Sequence, residues 1–206
     1  MALDVTFGVS TWLWTSPFNR DTVALFSKIK DYGFDAVEIP VEDPSLIDLN
    51  LVKKALQEHG LQPIICGAFG PTRDLTNEDP KYHQTCFDYL DACFEIAAEL
   101  GSSFVAGPMY AAVGKARLVS PEQRQIEWDR AVHNLQKVCK RAGEFGLDLA
   151  IETLNRFETD LINTSEDLMR LIQDINEPQA KATLDGFHLN IEEPNLEEAI
   201  RRVGDK

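Results

Sequence analysis

Four stretches of this chain share one punctuation: an amphipathic, helix-like run, a glycine, two or so residues, then an apolar, strand-like run. They read KIKDYGFDAVEI, ALQEHGLQPIIC, IAAELGSSFVAG and RAGEFGLDLAIE, with the glycines at Gly33, Gly60, Gly101 and Gly146. Glycine is favoured just past a helix end, where the backbone turns left-handed and a side chain is disfavoured. A short connection then feeds a strand. Repeated helix-to-strand punctuation of this kind restricts the chain to α/β architectures built on a parallel sheet, either an open doubly wound sheet or a (β/α)8 barrel.

Helix starts agree with that reading. Ser120-Pro121-Glu122-Gln123 offers an N-cap serine, a proline at the first helical position and a capping-box glutamine. Behind it Trp128, Val132, Leu135, Cys139 and Ala142 recur at helical spacing and mark one buried face. Thr164-Ser165-Glu166-Asp167 opens the next helix ahead of Leu168, Leu171 and Ile172. The pattern predicts strands near 5–13, 35–40, 63–69, 103–109, 148–153 and 181–185. Helices are expected near 21–32, 49–59, 80–100, 121–145, 165–175 and 195–203. The strands are apolar rather than alternating, as in a parallel sheet with a covered face. Nothing marks a domain boundary in the 206 residues, so residues 1–206 are read as one domain.

Charge narrows the function. Lys and Arg total 20 against 34 Asp and Glu, a formal net charge of −14. Nucleic-acid binders draw affinity from a basic footprint that this chain lacks. No run of apolar residues is long enough to span a membrane, and MALDVTFGVS, with an acid at Asp4, does not resemble a signal peptide. The four cysteines (Cys66, Cys86, Cys93, Cys139) form no CxxC pair and read as reduced thiols, so a cytoplasmic location is expected.

In parallel α/β folds, function collects at the carboxyl ends of the strands. Those ends carry Cys66 after PII, Met109-Tyr110 after FVAGP, Glu152 after LAI and Asp185 after ATL. Glu158 and His188 lie just beyond. Two carboxylates ending neighbouring strands beside a histidine suit a divalent cation. A lone acid at a strand end serves equally as a helix cap or ion-pair partner, and Asp185 could simply order its loop. His59, His83 and His133 fall on polar helix faces. The run Asp74–Asp79 and the pair Glu192-Glu193 read as turn and cap chemistry. No GxGxxG or GxxxxGK[ST] spacing and no nucleophile elbow occur.

IETLNRFETDLINT (151–164) and TLDGFHLNIEEPNLEEAI (183–200) resemble the D-tagatose 3-epimerase and D-psicose (allulose) 3-epimerase family, of the xylose-isomerase-like TIM-barrel superfamily. The ordered motifs are E-x-x-N-R-F-E and L-D-x-F-H-x-N-I-E-E; Cys66-Gly67 agrees in layout. The resemblance implies an eight-stranded barrel with one divalent metal, Mn2+ foremost, with Mg2+ or Co2+ as alternatives. It implies that Glu152 is both metal ligand and catalytic acid/base, and that Asp185 is a second ligand. Glu158 and His188 would hold the substrate's oxygens, with Cys66 and Tyr110 also lining its site. The implied reaction inverts C3 of a free ketose through a cis-enediolate. The expected partners are a small-molecule ketose and further copies of the chain in a dimer or tetramer, with no nucleic acid and no membrane.

The sequence departs from the family pattern at three places. It stops at Lys206, where a seventh strand would begin, so a barrel of only six units is expected unless another polypeptide completes it. The absent segment would supply a histidine ligand, a substrate-binding arginine and the glutamate that serves the other face of C3. The loop after strand 4 reads MYAAVGKARL, without a tryptophan. Strand 1 reads VSTWLWTSPF, leaving Trp12, Trp14 and Phe18 as candidates to wall a sugar pocket. Alternatives are a sugar or hydroxypyruvate-type isomerase and a non-catalytic fragment. A DNA-repair endonuclease of the same superfamily is disfavoured by the charge and the scattered histidines.

Overall fold

Parallel strands cannot be joined by tight turns, so each must be followed by a crossover long enough to hold a helix. The computed structural model of the chain describes residues 5–204, and within them that alternation is complete. Asp4 and Lys206 lie outside the described residues. The strands are β1 (Gly8–Ser10), β2 (Ala36–Val41), β3 (Gln62–Gly67), β4 (Phe104–Gly107), β5 (Asp148–Glu152) and β6 (Ala180–Thr183). The α-helices are α1 (Leu25–Asp31), α2 (Leu49–His59), α3 (Pro80–Leu100), α4 (Pro121–Glu144), α5 (Ser165–Ile175), α6 (Gly186–Glu192) and α7 (Leu196–Val203). The sheet runs β1-β2-β3-β4-β5-β6, every neighbouring pair parallel. Among the described residues β1 and β6 each keep one edge unpaired.

The glycine punctuation is realised in the backbone. Gly60 and Gly101 end α2 and α3 with φ of 58° and 86°. Asn176, φ 52°, performs the same turn after α5, a left-handed position that asparagine tolerates better than most residues. Ser120 caps α4, and Thr164 with Asp167 forms a reciprocal capping box on α5. On α4 the buried stripe includes Trp128, Leu135, Cys139 and Ala142 as expected, but Ala131 and Val138 are buried and Val132 only partly so.

Three expectations change. The first strand is much shorter than 5–13, because Ser10 caps a 3-10 turn over Thr11–Leu13 that ends it. The first helix begins as a 3-10 segment, Arg20–Ala24, under an Asn19 cap. The stretch after Asp185, expected as a loop, is helix α6.

Register partners share a face of a parallel sheet. One row runs Ile39–Ile65–Val105–Leu149–Ala180. The first four of these are wholly buried and Ala180 is 3% exposed; the helices cover them. The opposite face carries Pro40–Cys66–Ala106–Ala150–Lys181 and, displaced along the strands, Glu38 and the pair Glu152–Thr183. The core therefore sits between sheet and helices, and the other face is left for chemistry. All four cysteines are buried and free, and no helix among the described residues is long and apolar enough to cross a membrane.

Candidate active site

Glu152 is the last residue of β5 and pairs in register with Thr183, the last of β6. Two residues on, Asp185 leaves β6 as the N-cap of α6, its Oδ1 accepting from the Phe187 and His188 amides. One carboxylate oxygen is thus used locally, and Oδ2 has no hydrogen-bond partner among the described residues. His188 lies in the first turn of α6, 7% exposed. Glu152, Asp185 and His188 each present a ligand atom, all within 4.8 Å of one another. Two carboxylates and an imidazole so disposed fit a divalent cation.

The three line a cavity of about 400 Å³ with Glu158, Cys66, Trp12, Phe69, Val113 and Leu154 among its walls. The structure thus brings together five of the six residues singled out from the sequence. Tyr110 is not among them. It is wholly buried, its hydroxyl donating to the Ile162 carbonyl, so it packs behind the loop and the expectation that it lines a substrate site is corrected. Phe18 is also in the core, against Phe26, and Trp14 lies under Lys28; of the three candidate aromatic walls, Trp12 borders the cavity. Its indole Nε1 donates to Glu42 Oε1 at 2.7 Å, a carboxylate that also accepts from Ser16 Oγ and the Phe18 amide.

Burial pushes the Glu152 carboxyl up to about 8, and the neighbouring Asp185, Glu38 and Glu158 carboxylates add to it. Glu38 projects from β2 onto the same face of the sheet, inside what reads in sequence as a plain apolar strand. Burial, with Glu38 and Glu152 nearby, also pushes the Cys66 thiol well up. It faces the cavity as a neutral S–H group.

Sequence reasoning gave Asn155 no role, although it sits within the quoted motif. The residue is 2% exposed. Its Oδ1 accepts from the Phe157 amide at 2.9 Å, and its Nδ2 donates to Glu158 Oε1 at 3.0 Å and approaches His188 Nδ1 at 2.8 Å. The available signal was an asparagine three residues past a strand ending in a carboxylate, and three before the next carboxylate, Glu158.

A second network holds the loop that carries Glu158. Gly114 N donates to the Glu158 carbonyl, Asp160 N to the Lys115 carbonyl, and Lys115 pairs with Thr159 as an isolated parallel bridge. The half-buried Lys115 ammonium pairs with Asp74 at 2.9 Å and lies 3.8 Å from Glu127, which Arg117 also grips. Burial opposes ionisation of Asp74, but its bonds to Thr76 and Lys115 hold it below its ordinary value. Glu127 behaves alike: burial opposes its charge, and Arg117 and Gln123 outweigh it. Asp74 is therefore more than the turn residue expected. Glu192 and Glu193 do perform local work, accepting from Arg156 and from the Ser165 amide at the start of α5.

Known proteins resemble this chain in sequence and fold. Residues 26–206 match the family model described as xylose isomerase-like TIM barrel. A ketose 3-epimerase of Arthrobacter globiformis is 30% identical over 185 residues, covering 89% of this chain and 63% of its own length. An L-ribulose 3-epimerase of Methylomonas sp. (strain DH-1) is 30% identical, covering 94% of this chain and 65% of its own length. The chain thus spans somewhat under two thirds of these relatives. A crystal structure of D-allulose 3-epimerase from Methylomonas sp. in complex with D-allulose superposes with a TM-score of 0.90 at 27% identity, covering 98% of this chain and 69% of that one. The resemblance carried by the two sequence motifs and the strand-end geometry lead to the same place: the chain belongs to the xylose isomerase-like TIM barrel family.

Proposed function

We propose that this chain carries the cation-binding side of a ketose 3-epimerase site, acting on a free ketose of the D-tagatose or D-psicose type. The observation that carries this reading is the convergence of Glu152, Asp185, Glu158 and His188 on one cavity. The hydrogen on C3 of a ketose is acidified by the C2 carbonyl, and the Glu152 carboxylate, which lines the cavity from the end of β5, is the base placed to exchange a proton there. Glu158 and His188 are the groups that would hold the sugar's oxygens, with the Cys66 thiol beside them. Trp12, Phe69 and Leu154 offer apolar surface that keeps water from the reacting carbon. A divalent cation held by Glu152 and Asp185 would supply Lewis-acid stabilisation of the charge that proton removal leaves on the sugar; Mn2+ is the first choice.

Inversion requires a second acid on the other face of C3. In this reading two further strand–helix units bring it, pairing with the free edges of β1 and β6 so that residues 1–206 form part of one closed barrel domain. The shorter span of this chain relative to its relatives supports that arrangement. The buried free thiols support a reducing, cytoplasmic setting, while assembly into a dimer or tetramer rests on the resemblance alone.

The test compares D-fructose to D-psicose conversion, with added Mn2+, by residues 1–206 and by the same chain extended with the C-terminal units of the Methylomonas relative. The extended chain is expected to convert at least about 10²-fold faster, the usual worth of a positioned acid. A folded, Mn2+-loaded extended chain that leaves C3 untouched overturns the reading, and one that forms an aldose instead shows an isomerase.

A further inference from the structure

The His188 ring is held in one tautomer. The Asn155 backbone amide lies 3.2 Å from Nδ1, and a backbone N–H can only donate. The Asn155 side-chain Nδ2 lies 2.8 Å from the same atom. That amide cannot be turned end for end, because its Oδ1 accepts from Phe157 N and its Nδ2 donates to the Glu158 carboxylate. Nδ1 therefore receives two donors and carries no proton, so the neutral ring carries its proton on Nε2.

This bears directly on the cluster of Glu152, Asp185 and His188. A histidine that ligates a metal almost always donates its other N–H outward, to a carboxylate or a carbonyl, which leaves a lone pair for the ion. Here the polarity is reversed: the outward nitrogen accepts, and the remaining nitrogen holds a proton where a ligand needs a lone pair. Resting on the epimerase reading above, we propose that Asn155 is a positioning residue that fixes His188 as the Nε2–H tautomer. His188 then donates to a sugar oxygen and stays off the cation, which takes only Glu152 and Asp185 from this cluster. The same amide holds the Glu158 carboxylate, so one side chain orders both groups that would hold the sugar.

The test uses residues 1–206 with 15N-labelled histidine. Long-range proton–nitrogen correlation spectra of the wild type and His188→Gln identify the His188 ring by difference, apart from His59, His83 and His133. The expected result is an unprotonated Nδ1 and a protonated Nε2; a protonated Nδ1 overturns the proposal. In Asn155→Asp a carboxylate faces Nδ1, and the proton should move to that nitrogen; retention on Nε2 would show that Asn155 does not set the tautomer. Mn2+ titration supplies a third arm that does not depend on the Asn155 variant folding. His188→Gln should bind Mn2+ as the wild type does, whereas a loss of about tenfold or more would make His188 a ligand. None of these readouts needs turnover. Nε2–H in residues 1–206 together with a folded, Mn2+-loaded extended chain that leaves C3 untouched sinks the epimerase reading alone, and Nδ1–H together with an extended chain that epimerises sinks this inference alone.

Discussion

The two faces of the sheet are made by the same strands and do opposite things. Ile39, Ile65, Val105 and Leu149 face the helices and are fully buried. One residue away along each strand, the pleat points Glu38, Cys66, Ala106 and Ala150 to the other side, and Glu152 follows Ala150 on that side at the end of β5. The first face supplies stability through burial of apolar area. The second gathers like charges, and burial of Glu152 among Asp185, Glu38 and Glu158 costs stability wherever it is ionised. Stability and function are thus separated by a single-residue alternation, and substitutions on the two faces should separate the same way.

The largest contrast is expected at Glu152. Glu152→Gln should lower C3 proton exchange by about 10²–10⁴-fold and Mn2+ affinity by at least about tenfold, yet leave the metal-free protein no less stable at neutral pH. Assays of exchange, Mn2+ titration and thermal unfolding on one preparation check all three. On the helix-facing side, Leu149→Ala should do the reverse. It should cost about 2–5 kcal/mol of unfolding free energy, with Mn2+ affinity in the folded protein unchanged because the sites are independent. Denaturant titration with and without Mn2+ separates the terms. A Leu149→Ala protein of wild-type stability would break the comparison.

pH should sharpen it. Glu152 titrates near 8 in the metal-free fold against an ordinary 4.5, so the folded state holds an extra proton between those values. Stability should therefore fall as pH rises from about 4.5 to about 8 and level off above. Glu152→Gln, or saturating Mn2+, should flatten that slope. Asp74 and Glu127 are shifted the other way. Their contribution is present above the ordinary carboxylate range and is lost as pH falls below about 4. Unfolding followed from pH 3 to 9 resolves the two limbs.

The smallest effect is expected where the faces meet. A Cβ on Gly67 would stand 2.7 Å from the Phe69 ring, which walls the cavity. Gly67→Ala should cost about 1–3 kcal/mol by overpacking and weaken sugar binding more than Mn2+ binding.

The contrast between faces also explains what could be read in advance. Gly33, Gly60, Gly101 and Gly146 announced the helix-to-strand joints because a left-handed turn is a local demand, and all four have positive φ. Glu152 and Asp185 were legible because a charge ending an apolar run breaks a pattern. Glu38 breaks the same pattern but within a strand, and a single strand cannot say which face is covered. Helix α6 escaped because seven residues are too few for periodicity and its cap, Asp185, had already been read as a ligand; it serves both purposes. Tyr110 stood at the correct strand end, but its direction depends on the 159–162 loop. The Lys115–Asp74 pair joins residues 41 apart, and Asn155 reaches His188 across 33. Such partners exist only once the chain has closed.

The central claim is that Glu152 exchanges the C3 proton of a ketose bound on the inner face. Residues 1–206 incubated with D-fructose and Mn2+ in D2O, quenched with chelator and analysed by mass spectrometry and NMR, test it most directly. The account predicts deuterium at C3 with little D-psicose formed, and loss of that label in Glu152→Gln. An absence of label at C3 in the Mn2+-bound wild type, or equal label in Glu152→Gln, would contradict it.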